Sequence, residues 1–166
     1  MCIRDRAYQI AVDPDGSVIA APNDGLVMLR AGKVQRLGKE NGLPCDDVKG
    51  FAVDDNKNLW LTTSCGFLEI AASDVQRWSI HPDAIVQTRV FGTLDGALPG
   101  TVSFNPAAKS PDGRLWFVNN VVLQMIDPSR LSGDMTVSPV YIETVVADRK
   151  QYKPQESLQL PPLRCV

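Results

Sequence analysis

Short runs in which apolar and polar residues alternate, each closed by a turn rich in glycine, proline or aspartate, fill the first eighty residues. Tyr8–Val12, Ser17–Ala21, Leu26–Leu29 and Lys33–Leu37 are short runs of this kind, and they predict half-buried β-strands. Between them stand Asp13-Pro14-Asp15-Gly16, Asn23-Asp24-Gly25 and Ala31-Gly32. Proline presets φ, aspartate accepts bonds from nearby backbone N–H groups, and glycine tolerates a positive φ. Four strands joined by such turns predict one antiparallel sheet. The same layout returns farther on, with strands predicted at Val48–Val53, Leu59–Thr63, Phe67–Ile70 and Val75–Ile80.

The return is an internal repeat. Val12, Asp13, Gly25 and the run Val34-Gln35-Arg36 reappear 41 positions later as Val53, Asp54, Gly66 and Val75-Gln76-Arg77. A weaker third copy, Ser110-Pro111-Asp112-Gly113-Arg114-Leu115-Trp116, lies 56 positions beyond the second. A period of about 40–50 residues rich in β-formers points to propeller blades. The fold class is therefore all-β: a partial β-propeller of about three four-stranded blades, at residues 7–40, 46–80 and 101–131. Ile19, Trp60 and Trp116 share one column, where a large apolar side chain suits packing between blades. A blade cannot bury its own faces, so the chain reads as a piece of a larger object. On its own, such a piece is expected to associate through its open faces and edges.

Connectors and the tail complete the layout. Asn41-Gly42-Leu43-Pro44 before Val48 is echoed by Asp95-Gly96-Ala97-Leu98-Pro99 before Val102. His81–Gly92 reads as an insertion, which in a propeller usually lies on one face and often carries function. Ser129–Thr136 is polar and small, as a linker is, and Val137–Ala147 opens a new β segment. The domain boundary is placed near residue 135, with the propeller over 7–134 and a second, truncated domain over 135–166. Residues 1–6 match nothing in the repeat and are treated as a non-native start.

Composition narrows the function classes. The 166 residues are 44% hydrophobic with a net charge of −2 and no run of Lys or Arg, which argues against a nucleic-acid footprint. No stretch approaches the ~18 consecutive apolar residues of a membrane span. Cys2, Cys45, Cys65 and Cys165 form no C-x-x-C pair and have no neighbouring histidine, so no zinc site is expected. Their even number permits disulfides without identifying a pairing, and Cys2 is set aside with the start of the chain.

No catalytic set emerges either. Asp13-x-Asp15-Gly16 would need a glutamate at position twelve to serve as a calcium loop, and Asp24 stands there. It reads as a hairpin turn, as does Asp54-Asp55-Asn56. His81, the single histidine, reads as a surface or turn residue. Ser64, Ser79 and Ser103 lie outside any Gly-x-Ser-x-Gly context, and Cys45 and Cys65 show no neighbouring base. The expectation is no catalytic residue, no metal and no cofactor.

These residues resemble the two-component regulator propeller family. Its blade pattern is carried here by Gly42-Leu43-Pro44, Val48, Asp54 to Asn58, Leu59-Trp60, Thr62-Thr63 and Gly66-Phe67. Lys57 replaces the family's usual glycine. The first copy lacks the tryptophan, and the third has Val122 where the later glycine belongs. Pro139-Val140-Tyr141-Ile142-Glu143 and Leu158-Gln159-Leu160-Pro161-Pro162 are similar to the start of the immunoglobulin-like domain that follows the last blade. The resemblance implies the periplasmic, ligand-sensing part of a membrane-bound bacterial regulator, homodimeric in its parent. It also implies an unknown small ligand, a carbohydrate being one option. Two other readings stand beside it: a fragment of a carbohydrate-active propeller enzyme with paired carboxylates, and a scaffold for protein partners.

Overall fold

Thirteen short strands, one α-helix and three single-turn 3-10 helices make up the regular structure of the described residues, which is all-β in class. The computed structural model describes residues 7–131, 144–147 and 150–153. The chain divides into two units, residues 1–132 and 133–166. In the first unit, β1 (Ala7–Val12), β2 (Val18–Pro22), β3 (Leu26–Arg30) and β4 (Lys33–Leu37) form an antiparallel meander in chain order. These are the four strands that the alternation predicts. A second meander follows with β5 (Gly50–Val53), β6 (Leu59–Thr63), β7 (Gly66–Ile70) and β8 (Thr88–Phe91). A third sheet holds β9 (Ala107–Lys109), β10 (Leu115–Val118) and β11 (Leu123–Ile126).

The second unit shows one hairpin among its described residues, β12 (Val145–Ala147) with β13 (Lys150–Tyr152). The segments that carry the immunoglobulin-like resemblance, 139–143 and 158–162, lie outside the described residues.

The fourth strand of the second sheet is not where the repeat predicts it. Val75–Ile80 belongs to a helix, α1 (Ala72–Ile80), so Val-Gln-Arg is strand in one copy and helix in the other. The turn before it decides. Ala31 and Gly32 both have positive φ, which closes a two-residue hairpin into β4. Ala71-Ala72-Ser73-Asp74 offers no such turn. Ala71 stays extended as the helix cap, and Asp74 places a carboxylate in the first helical turn, where the dipole favours it.

A glycine contact identifies the true counterpart of β4. A Cβ on Gly25 would lie 2.4 Å from the Leu37 carbonyl oxygen, and one on Gly66 would lie 2.1 Å from that of Phe91. Leu37 ends β4 and Phe91 ends β8, so these strands are equivalent. They stand 54 positions apart rather than 41, so the second sheet carries 13 extra residues here.

Those extra residues fasten two sheets together. Trp78 is fully buried with the core between the first and second sheets, and its Nε1 donates to the Arg36 carbonyl at 3.2 Å. Gln35 Nε2 donates to the Ser79 carbonyl at 3.2 Å. Beyond the helix, Asn41 Nδ2 donates to the carbonyls of Pro82 and Ala84, and the Val86 amide donates to the Asn41 carbonyl. The insertion is thus a clasp, built of packing and of hydrogen bonds to backbone carbonyls.

Two apolar cores hold the unit. One lies between the first and second sheets and includes Ile19, Met28, Phe51, Leu59, Leu61 and Trp78. The other lies between the second and third and includes Trp60, Phe67, Ala107, Leu115 and Phe117. The second sheet therefore feeds both cores, and all five residues of β6 are buried. Ile19 and Trp60 pack between sheets as their column predicts, whereas Trp116 in the third sheet is only half-buried. The outer faces of the first and third sheets are apolar and open, with Val12 68%, Val34 70% and Leu123 65% exposed.

Cys45 and Cys65 form a disulfide with their Cα atoms 6.1 Å apart, a pairing that spacing alone leaves open. It ties the connector before β5 to the turn between β6 and β7.

Two measurements check this account. Trp78→Ala removes a fully buried indole and should cost about 3–5 kcal/mol in equilibrium denaturation; a loss under about 1 kcal/mol would show that the clasp is not load-sharing. Reducing Cys45–Cys65 opens a link of sequence separation 20. Stability should then fall by about 3 kcal/mol, read as a lower melting temperature with reductant present.

Candidate functional site

Three turns of one design line up at the same end of the three sheets. In the first, the Asp13 amide donates to the Ser17 carbonyl and Gly16 N–H returns to the Asp13 carbonyl, at 2.8 and 2.9 Å. Asp54 repeats this with Asn58 and Lys57, and Ser110 with Arg114 and Gly113. The fourth residue of each turn is left-handed, with φ of +81° at Gly16, +66° at Lys57 and +84° at Gly113. Lys57, which the resemblance marks as a replaced glycine, is therefore held where an L side chain costs about 1–2 kcal/mol.

The first residue of each turn faces the indole column. Asp54 is buried and accepts from Trp60 Nε1 at 3.1 Å, from the Asn58 amide at 2.9 Å and from Asn58 Nδ2 at 3.0 Å. Ser110 Oγ accepts from Trp116 Nε1 at 2.9 Å. Asp13 has Ile19 six positions on instead of a tryptophan, and its carboxylate has no side-chain partner among the described residues. Lys57 Nζ is likewise without a partner among the described residues.

Between the first two turns and α1 opens a cavity of about 490 Å³. Its floor is apolar, with Ile19, Leu26, Met28, Leu59 and Trp78, and Asp13, Asp15 and Lys57 stand at its rim. A concave apolar floor with a few polar groups at the mouth has the make-up of a small-molecule site. Asp15 is already engaged. Hydrogen bonds from Ser17 hold its carboxyl below the ordinary aspartate value, and Arg30 at 3.3 Å adds to this. Asp112 in the third sheet is lowered in the same way by Ser110.

A second polar group joins β7 and β8. Arg89 Nη1 sits 3.5 Å from Glu69 Oε2, donates to the Leu131 carbonyl at 3.2 Å, and stacks its guanidinium 4.7 Å from the Phe91 ring centre. Burial pushes the Glu69 carboxyl above its usual value; Arg89 works against this and Asp54 adds to it. Asn58 Nδ2 reaches both Asp54 and Glu69. Both carboxylates are bonded within the protein, which marks them as structural.

The residues weighed in the sequence do not converge. His81 caps the end of α1, is exposed, and makes no side-chain bond to Ser64, Ser79 or Ser103. Ser64 bonds to Asp47 instead, and Ser79 donates to the Gln76 carbonyl. Cys45 and Cys65 are tied up in their bridge. Among the described residues no group of three His, Cys, Asp or Glu side chains could hold a metal ion. The cavity under α1 is not legible in the sequence, because the repeat predicts a strand where the helix that walls it stands. Its signal was nevertheless present, in the two positions where the turns depart from their own repeat.

No family model matches this chain, and no curated protein matches it. Among solved structures, it is similar to selenomethionine-substituted virginiamycin B lyase from Staphylococcus aureus, with 14% identity and a TM-score of 0.44 over 72% of this chain and 40% of that one. A catalytically inactive form of the same lyase with quinupristin gives 15% identity and a TM-score of 0.45, over 73% and 41%. The extracellular domain of a one-component system from B. thetaiotaomicron gives 10% identity and a TM-score of 0.28, over 76% and 23%. The chain thus spans about two fifths of the length of the lyase structures.

Proposed function

We propose that this chain is a ligand-binding, non-catalytic part of the extracytoplasmic sensor of a membrane-bound bacterial two-component regulator. In this reading it works in the periplasm, pairs as a homodimer in its parent, and relays its state to a cytoplasmic output module. The observation that supports it best is that three residues of the resembled blade pattern have structural tasks. Gly42 is left-handed where the connector turns, Asp54 holds the indole of Trp60, and Gly66 makes room for the Phe91 carbonyl. The Cys45–Cys65 bridge suits an oxidising compartment. Among the described residues no helix is long and apolar enough to cross a membrane.

A sensor of this kind acts by having two global states with different ligand contacts. The groove between the first two sheets supplies a place for such contacts, because one of its walls is the helix inserted between β7 and β8. The test is to read the gene on both sides and to couple its output to a reporter. A membrane-spanning helix followed by a kinase or DNA-binding module is expected. A reading frame without these, or a reporter indifferent to every extracellular small molecule tried, overturns the proposal.

A further inference from the structure

Two departures from the repeat fall on one cavity. In the second and third turns the leading polar residue is consumed by an indole, but in the first Ile19 takes the tryptophan's place and leaves the Asp13 carboxylate free. In the first and third turns the left-handed residue is glycine, but in the second it is Lys57. A strained side chain held against an easier alternative points to function rather than to folding. Both changes place an unpaired charge, one negative and one positive, at the mouth of the 490 Å³ groove. Among the described residues, neither charge lies within ion-pair distance of the other or of any other charged group. Lys109, the other cation at the rim, is already paired with Asp55 at 2.8 Å.

From these charges we infer that the groove binds a small zwitterion with an apolar body, the size of an amino acid or dipeptide. Its carboxylate meets Lys57 Nζ and its ammonium meets the Asp13 carboxylate, while the apolar body lies against Ile19, Met28 and Val75. Opposite charges at fixed places select orientation as well as affinity. Among the described residues Trp78 is the one aromatic of the lining, and it is fully buried, so it offers no open ring face on which a sugar could stack. The inference rests on the proposed ligand-binding role and names its chemistry.

The groove opens from the inner side of the first sheet, whereas Ile10, Val12 and Leu29 cover the outer side. Association through that outer side leaves the groove accessible, so the 166-residue chain serves for the test. It is titrated calorimetrically with leucyl-leucine, N-acetyl-leucyl-leucine, leucyl-leucine amide and maltose. Leucyl-leucine should bind saturably, and each blocked form should bind about tenfold more weakly. Asp13→Asn should erase the difference between the free and acetylated peptides. Lys57→Gly should erase the difference between the free peptide and its amide. Because Lys57→Gly also relieves the left-handed strain, it should melt at a higher temperature, so its lost affinity cannot be unfolding.

Affinities unchanged in both variants, or no saturable binding of leucyl-leucine at about 10 mM, would overturn the inference. Preference for maltose would overturn it too while leaving the ligand-binding role standing. Zwitterion binding with a silent reporter in the parent would do the reverse.

Discussion

Burial of the second sheet on both faces is the constraint on which the rest depends. A four-stranded meander has two faces and can cover neither by itself. In β6, Leu59 and Leu61 go to one core while Trp60 goes to the other, and no residue of the strand remains exposed. The first and third sheets are ordered against it, each by the face it turns inward. At the inner edge Gln9 adds a polar tie, donating to the Phe51 carbonyl at 2.8 Å and accepting from the Phe51 amide at 3.0 Å. An amide side chain thereby does for two neighbouring sheets what a backbone ladder does within one. The buried glutamine costs nothing in unmet hydrogen bonds because both its polar atoms are used.

What could be read in the sequence follows from how local each feature is. The turns were legible because their chemistry sits in four or five adjacent residues, as in Asp13-Pro14-Asp15-Gly16, and the strands between them followed. The helix was not legible, since Val75-Gln76-Arg77 is the same tripeptide as Val34-Gln35-Arg36 and only the flanking residues differ. Context outweighed identity there. The position of β8 depends on the Gly66 approach to the Phe91 carbonyl, a contact 25 residues apart that no window of pattern analysis spans. Likewise, the pairing of Cys45 with Cys65 needs the sheet to bring them together.

The groove shows where a repeat protein can be informative. Copies of one blade share the residues that fold it, so positions that break the pattern are relieved of that duty. Ile19 and Lys57 are such positions, and each leaves a charge that the fold itself does not use. Position 54 shows the opposite case, since the Asp54 carboxylate is spent on Asn58 and Trp60. Acidic residues in these turns therefore cannot be counted together as one acidic surface. Some are internal fasteners, and one is open to a visitor.

The disulfide also bears on mechanics. Cys45 precedes β5, and Cys65 follows β6. Tension applied along the chain enters at one sulfur and leaves at the other, bypassing everything between them. Two of the strands that carry both cores are thus removed from the line of force. The 20-residue span that they occupy would otherwise pay out roughly 65 Å when drawn straight. A pull on this region would load β7, α1 and β8, which follow Cys65, while β5 and β6 stay closed inside the bridge.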